Sequence, residues 1–231
     1  MKIAVMSDIH GNIYALMKTL EDIDEQNVDK IICLGDLVGY GPHPNEVVAL
    51  IKRREIPCVK GNYDASVVDG DFTYIRNTAI NSFALPWACE EVRVANKYYL
   101  DSLPTSLKYT FNGVNMLLTH GSPNAINDYL FEDDEKTKEI MSQYEGDVLV
   151  CAHTHIPFAK YNNKLLINVG SVGKPKIGKP NPTYALIEIN DNGEVKVTFK
   201  YLEYEYKRIM KDCTMLNFPN SITSSYETGK E

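Results

Sequence analysis

The histidines of this chain are concentrated at the ends of short apolar runs. The chain has 5 histidines among 231 residues, and all but His43 directly follow strand-like segments, beside glycine or another histidine. Seven potential metal ligands occupy such positions: Asp8, His10, Asp36, Asn62, His120, His153 and His155. A single Asp or His there is usually a turn former or a hydrogen-bonded side chain. Together, the seven require a fold in which five strand ends converge, as they do at the crevice of an open α/β sheet.

The first part of the chain alternates short apolar segments with longer amphipathic ones, a pattern typical of layered α/β architecture. We predict strands at residues 2–6, 30–34 and 57–60. Helices are predicted at residues 12–27 and after Pro44, where apolar residues recur at a helical period. The strands are mostly apolar rather than alternating, as expected for strands covered on both faces.

Residues 66–103 interrupt this alternation and predict two or three helices, which form a cap or flank within a single domain of residues 1–231. A second β-rich half follows, with strands predicted at residues 107–111, 114–118, 148–151, 158–161, 165–169, 183–189 and 194–201. Turn signals at 162–163 and 191–193 predict a largely antiparallel C-terminal sheet. A final helix is predicted at 203–211, followed by a polar stretch at 217–231.

Composition restricts the partners of such a chain. Lys and Arg number 24 against 31 Asp and Glu, a formal charge of -7, which argues against a partner such as long nucleic acid. No run approaches the ~18 apolar residues of a membrane span, and the N-terminal run is too short for a signal peptide. We therefore expect a soluble, cytoplasmic protein that binds a small anionic substrate and no membrane.

The mixture of His, Asp and Asn ligands suits transition-metal ions of intermediate softness. Two divalent or trivalent ions are expected, from the group Mn, Fe, Zn, Ni and Co, with manganese favoured. Asp36 is the natural bridging ligand, because a carboxylate between two ions offsets their repulsion at the ~3.5–4 Å typical of two-metal sites.

The ordered set of motifs resembles that of the calcineurin-like metallophosphoesterase superfamily, in its compact bacterial and archaeal phosphodiesterase branch: Asp8-x-His10, Gly35-Asp36, Gly61-Asn62-x-Asp64, His120-Gly121 and His153-x-His155. The resemblance implies a four-layer αββα sandwich of two mixed β-sheets flanked by helices. It implies one metal held by Asp8, His10, Asp36 and His155, and a second held by Asp36, Asn62, His120 and His153. A hydroxide bridging the metals would then attack phosphorus in line.

Tyr63 departs from the family pattern, which usually has a histidine at this position. The unperturbed pKa of tyrosine is ~10, so its phenol is a poorer proton donor to a leaving group than imidazole. Tyr63 and Asp64 are candidate catalytic residues, with packing at the pocket rim as an equally weighted role for Tyr63. Tyr63 predicts weaker activity on alkyl monoesters than on phosphoanhydrides or aryl diesters.

Three residues are candidates for substrate binding: Asn62, His43 and Lys174. The loop around His43 resembles that of a subgroup that includes diadenosine polyphosphate hydrolases, although a surface loop histidine is the favoured alternative. Solvated loop charge is the default interpretation of Lys174 and of the neighbouring Lys176 and Lys179, and binding of phosphate by a lysine is the alternative. Asn168 and Ser171 are predicted to orient metal ligands through hydrogen bonds. Ala152 replaces a usual glycine and would be strained only at a positive φ.

The leading hypothesis is a dinuclear metal-dependent hydrolase that acts on a phosphodiester or a nucleotide-type phosphoanhydride. A nuclease or a protein phosphatase of the same superfamily is an alternative. A second alternative, from another class, is a nucleotide- or phosphate-binding regulator that kept its metals but lost efficient turnover. The oligomeric state is left open.

Overall fold

The strands form two mixed sheets. A computed structural model describes residues 1–230. The first sheet has the order β2-β1-β8-β9 and contains β1 (Lys2–Met6), β2 (Lys30–Cys33), β8 (Thr183–Ile189) and β9 (Val195–Tyr201). The second has the order β3-β4-β5-β7-β6 and contains β3 (Ser106–Phe111), β4 (Val114–Thr119), β5 (Val148–Cys151), β6 (Phe158–Asn162) and β7 (Lys164–Asn168).

Helices cover the outer faces of both sheets. Residues 1–230 contain α1 (Ile13–Glu25), α2 (Pro44–Arg53), α3 (Asn62–Asp69), α4 (Ala79–Glu91), α5 (Val94–Ser102), α6 (Glu135–Gln143), α7 (Tyr206–Met215) and α8 (Asn220–Thr228). Seven of these helices share one apolar core with the first sheet. Helix α6 packs on the second sheet through Ile140.

The layers follow from the two-residue period of the strands. In β1, Ile3 and Val5 face the second sheet, whereas Ala4 and Met6 face the helices. In β5, Val148 and Val150 face the first sheet, and the residues between and after them face α6. Both faces of these two strands are therefore apolar. The predicted four-layer αββα sandwich of two mixed sheets is confirmed.

The strand predicted at residues 57–60 is wrong. This segment forms one isolated parallel bridge, between Cys33 and Cys58. Its ladder is limited to the bonds from Cys33 N to Pro57 O and from Val59 N to Cys33 O. The next amide, that of Lys60, donates to Pro104 O instead, so the chain leaves β2 before a strand can form.

The prediction of one largely antiparallel C-terminal sheet is also wrong. The two hairpins, β6–β7 and β8–β9, are antiparallel as predicted. However, β8 pairs with β1 in the first sheet, and β5 pairs in parallel with both β4 and β7 in the second. Turn residues specify the pairing within a hairpin but not the sheet that it joins.

Helices also depart from prediction at three places. Helix α6 was not predicted, and α8 lies in the stretch expected to be polar. Its Ile222 and Tyr226 are buried at an i, i+4 spacing too short to show a period. Helix α7 begins later than predicted, at Tyr206. The segment predicted as a cap or flank contains α4 and α5. Their buried residues belong to the same core as those of α1 and α2.

No helix within residues 1–230 is both long and apolar enough to traverse a bilayer.

The topology places four strand ends where they can share a site. Strands β1 and β2 are parallel neighbours in one sheet, and β4 and β5 are parallel neighbours in the other. Each pair thus ends on one edge of its sheet. The loops after these four strands carry Asp8, His10, Asp36, His120, His153 and His155.

Candidate metal centre

The loops that carry the candidate ligands have unusual backbone conformations. The φ angles are 53° at Asp8, 47° at His10, 51° at Asp36, 66° at His153 and 62° at His155. Residues other than glycine rarely adopt this left-handed region, at a cost of roughly 1–3 kcal/mol each, and such strain clusters at functional sites. Ala152 is not among the positive-φ residues, so replacing glycine there causes no strain of this kind.

Backbone hydrogen bonds hold these loops against one another. The amides of Asp8 and His10 donate to the carbonyl oxygens of Gly35 and Asp36, at 3.0 and 2.9 Å. The amide of Ala152 donates to His120 O at 2.9 Å. The loops after β1 and β2 therefore form one unit, and those after β4 and β5 form a second.

The predicted ligands converge in two groups. Within each group, the ligand atoms lie within 4.8 Å of one another: Asp8, His10 and His155 form the first group, and Asp36, His120 and His153 form the second. Asn62 joins the second group, since its Oδ1 is 2.9 Å from His120 Nε2. The second group contains the residues of the second ligand set that the resemblance implies, and the first group contains those of the first set except Asp36.

Asp36 lies between the two groups. Its Oδ2 is 3.6 Å from His10 Nε2 and 3.4 Å from His120 Nε2. Its Oδ1 accepts a hydrogen bond from the amide of Tyr63 at 2.8 Å, which fixes the plane of the carboxylate. Gly61 permits this arrangement, because a Cβ there would lie 2.1 Å from Asp36 Oδ1. The carboxylate is thus placed to bridge two ions.

Three of the histidines are oriented by backbone carbonyl groups. Nδ1 of His10 bonds to Val38 O at 3.0 Å, and Nδ1 of His120 bonds to Leu34 O at 2.7 Å. His155 Nδ1 bonds in the same way to the backbone carbonyl of Lys174. Because a carbonyl oxygen only accepts, Nδ1 carries the proton in each ring. When a ring is neutral, its Nε2 lone pair therefore points into the ligand groups, as metal binding requires.

The donor set fits metal ions. Asp8 Oδ1 is buried and accepts no hydrogen bond, although Nε2 atoms of His155, His10 and His120 lie 3.2, 3.6 and 3.9 Å away. A buried carboxylate oxygen without a donor is costly. A cation among these lone pairs would satisfy all of them together.

Charge within the site perturbs its titrating groups. Burial lowers the pKa of His120, but the carboxylates of Asp36 and Asp8 outweigh burial and raise it to about 10. Burial and the nearby His120 lower the pKa of His153 to about 3. His153 is therefore neutral near pH 7, the form that binds metals, whereas His120 holds a proton that a metal must displace.

Tyr63 packs beside His10, and its hydroxyl proton is directed to Asn81. Asn81 Nδ2 donates to Arg76 O at 2.7 Å, which leaves Oδ1 as the accepting atom of the amide. The hydroxyls of Tyr63 and Tyr40 both donate to this Oδ1, at 2.7 and 2.8 Å. The Tyr63 ring lies against Gly39, where a Cβ would be 2.3 Å from Tyr63 Cδ1. This geometry favours the packing role of Tyr63 over the role of proton donor.

Asp64, the other candidate catalytic residue, lies beneath the site. Its buried carboxylate accepts hydrogen bonds from the amides of Asp36 (2.8 Å), Leu37 (2.9 Å) and Gly61 (3.0 Å). Burial and the charge of Asp36 raise the pKa of Asp64 to about 6. Asp64 is a positioning residue that holds two ligand loops together.

Two of the three candidate substrate-binding residues, His43 and Lys174, are not among the residues that line the cleft above the ligand groups. His43 Nε2 is 2.9 Å from Asp212 Oδ2, on α7. Lys174 is buried with its Nζ 4.7 Å from the centre of the Tyr40 ring. Asn62, the third, is within the cleft beside His120.

The predicted orienting residues behave as expected. Ser171 Oγ donates to Asp8 O at 2.8 Å, and Asn168 Nδ2 donates to Ala152 O at 2.7 Å. Both bonds fix the backbone of a ligand loop.

A cleft of about 500 Å³ opens above the ligand groups. Its walls include several residues that sequence analysis did not assign to the site: Tyr40, Arg76, Asn81, Tyr129, Phe131 and Lys176. None belongs to a recognisable motif. For Tyr129 and Phe131, the available signal was the position of their loop directly after the His120-Gly121 motif.

Known proteins match this chain over most of its length. The family profile of the calcineurin-like phosphoesterase superfamily domain matches residues 1–192. An uncharacterized protein of Methanocaldococcus jannaschii is 33% identical over 89% of this chain and 89% of its own. The phosphodiesterase YfcE of Escherichia coli is 27% identical over 83% of this chain and 94% of its own. The crystal structure of a metallophosphoesterase from Sphaerobacter thermophilus superposes with a TM-score of 0.83 and 27% identity, over 99% of both chains.

The position of Asp36 between the groups leads to a prediction about metal content. After loading with Mn²⁺ and desalting, we expect two ions per chain in the wild type and about one in His155→Gln. Asp36→Asn should lose most of both ions, because this carboxylate faces both groups. Mass spectrometry of the metal content is the measurement. His43→Gln is the matched control and should keep two ions, and an Asp36→Asn protein with two ions would contradict a bridging role.

The raised pKa of His120 leads to a pH dependence. In the metal-free protein, the proton on His120 stabilises the fold fully below 6.5, the ordinary pKa of histidine, and this contribution is lost as the pH rises towards about 10. Mn²⁺ must displace this proton, so the apparent affinity should rise with pH, by up to about tenfold per unit. Calorimetric titrations near neutral pH, in buffers of different ionisation enthalpy, should show the release of about one proton. Heats that do not depend on the buffer would refute this assignment, and His43→Gln should behave as the wild type does.

Proposed function

The chain belongs to the calcineurin-like phosphoesterase superfamily, and we propose that it is a dinuclear metal-dependent hydrolase of small phosphodiesters or nucleotide-type phosphoanhydrides. The observation that carries the proposal is the pair of ligand groups on the floor of the cleft, with Asp36 between them. Two cations held there would activate water as a nucleophile and offset the charge that develops on the phosphoryl oxygens. Manganese is the first ion to test, since the donors are nitrogen and oxygen atoms.

The residues of the chain itself hold the reacting groups in place. The backbone carbonyls behind His10, His120 and His155 fix the ring planes. Rigid ligands keep their geometry as charge develops, so no reorganisation is needed during the reaction. Asn62, within the cleft and beside His120, can donate a hydrogen bond to a phosphoryl oxygen from its amide.

Few side chains near the ligand groups are placed to donate a proton to the leaving group. The Nδ1 protons of three histidines are directed to backbone carbonyls, and the hydroxyl protons of Tyr63 and Tyr40 are directed to Asn81. A leaving group that is stable as an anion needs no such donor. This supports aryl diesters and phosphoanhydrides, whose leaving groups are phenolates and phosphates, over alkyl monoesters.

The size and charge of the site favour a small substrate. A cleft of about 500 Å³ is in the range of small-molecule sites, and the net charge of -7 does not favour a long polyanion. These observations argue against a nuclease. The phosphodiesterase YfcE, at 27% identity, supports a phosphodiester substrate.

The competing proposal is a regulator that binds nucleotide or phosphate without efficient turnover. A regulator of this kind would not require two complete ligand groups with a carboxylate between them. We expect the Mn²⁺-loaded protein to hydrolyse bis(p-nitrophenyl) phosphate, and to lose at least about 100-fold in kcat when Asp36 is replaced by Asn. Release of nitrophenolate is the measurement, and His43→Gln is the control that should retain activity. Tight nucleotide binding without turnover, across Mn²⁺, Zn²⁺, Co²⁺ and Ni²⁺, would favour the regulator.

The direction of the Tyr63 proton gives a second test, based on leaving groups. Tyr63→His supplies an imidazole and should raise kcat on an alkyl phosphoester by about tenfold or more, but change turnover of a nitrophenyl diester by less than about threefold. Tyr63→Phe should change both by less than about threefold, because the lost proton was directed to Asn81. A large loss in Tyr63→Phe that is confined to the alkyl ester would instead identify Tyr63 as the acid.

A further inference from the structure

Two aromatic side chains form a platform on one wall of the cleft. Tyr129 and Phe131 both line the cleft, and their ring centres are 5.8 Å apart with planes inclined by 5°. Phe131 is 43% exposed. The exposed ring of such a stacked pair offers a flat face on which a further ring can stack.

The backbone beneath this platform is firmly held. Leu130, between the two rings in sequence, is fully buried in the core formed with α6. Asp128 accepts hydrogen bonds from Ser122 Oγ at 2.6 Å and from Lys136 Nζ at 2.5 Å. The inward Leu130 places its two neighbours on the opposite side of the chain. The platform is therefore positioned by the fold rather than by a substrate.

The platform is continuous with the metal ligands. The Tyr129 ring is 4.0 Å from the ring of His153, a member of the second ligand group, with an interplanar angle of 37°. The guanidinium of Arg76 is 4.3 Å from the centre of the same Tyr129 ring. The Tyr129 ring thus contacts Phe131, the cation of Arg76 and the metal ligand His153.

We propose that Phe131 and Tyr129 bind a planar aromatic ring attached to the phosphate, with a nucleobase as the natural occupant. The phosphate would lie at the metal ligands, and Arg76 would contact a further phosphate or the backbone of a nucleotide. The ring centres of His153 and Tyr129 are 4.0 Å apart and those of Tyr129 and Phe131 are 5.8 Å apart, so the aromatic pair lies close to a phosphate held at the metal ligands. Thr73, Thr78 and Asn127 line the same cleft and offer hydrogen bonds to the edge of a base. This inference rests on the proposed function and specifies its substrate class.

Binding measurements test the platform without reference to turnover. The probes are AMP and ribose 5-phosphate, which carry the same phosphate and differ in the base. With the Mn²⁺-loaded protein in a calorimeter, AMP should bind about tenfold more tightly than ribose 5-phosphate, as one stacked base contributes. Phe131→Ala should remove this difference and leave the affinity for ribose 5-phosphate within about twofold, and Phe131→Trp should retain the preference.

The matched control is Tyr161→Ala, which removes another exposed aromatic ring, 75% exposed and on β6, outside the cleft. It should bind both probes as the wild type does. Equal affinities of the wild type for the two probes would overturn the proposal. So would a loss in Phe131→Ala that is the same for both probes.

Kinetics identify the source of the ring. The substrates are the p-nitrophenyl ester of thymidine 5′-monophosphate and methyl p-nitrophenyl phosphate, which share a leaving group. If Phe131→Ala lowers kcat/KM about tenfold for the first substrate alone, the platform binds the nucleobase. An equal loss for both identifies the aryl leaving group as the occupant, and no loss for either overturns the proposal. If the wild type hydrolyses neither, the proposed function fails, while the calorimetric preference for AMP still decides whether the platform exists.

Discussion

Buried negative charge is the constraint on which this structure depends. Asp8 and Asp36 are 0% and 1% exposed and lie at the junction of the two sheets' loops. Carboxylates removed from water in this way are tolerated only where nearby cations or donors offset their charge. In the metal-free protein a proton on His120 supplies part of this compensation, which explains why the pKa of that ring is raised to about 10. Bound cations would supply it fully, so metal binding and the fold of the four ligand loops are linked.

The strained ligand loops depend on a third buried carboxylate, that of Asp64. Its hydrogen bonds join the loop after β2 to the beginning of α3, where Asn62 and Tyr63 lie. Without them, the positive φ of Asp36 would relax. Asp64 was a candidate catalytic residue because it shares a motif with Asn62, but sharing a motif does not establish contact with substrate. The motif encodes both a ligand and the support of that ligand.

The sequence was sufficient to predict that the seven candidate ligands converge, because their positions follow from local rules. Apolar segments end where polar ligands begin, and parallel strands end on the same edge of a sheet. The sequence could not assign β8 to the first sheet, because pairing between strands distant in sequence depends on which apolar faces meet. Nor could it show that the Tyr63 proton is directed to Asn81, since that bond joins α3 to α4 across the tertiary structure. Tyr129 and Phe131, which flank Leu130, were not predicted for a related reason. Only the tertiary structure shows that Tyr129 contacts His153 and Arg76.

The distribution of donors in the cleft has a consequence for where substrate specificity arises. The Nδ1 protons of three ligand histidines and the hydroxyl protons of Tyr63 and Tyr40 are bound within the protein, by backbone carbonyls and by Asn81. The reacting phosphate is therefore recognised mainly through charge, and charge alone distinguishes poorly between phosphoesters. Discrimination must then come from parts of the substrate remote from phosphorus, whose binding energy can also be used to orient the reacting bond. The wall that runs from His153 through Tyr129 to Phe131 is suited to that task, because a stacked ring fixes the direction of the group attached to it.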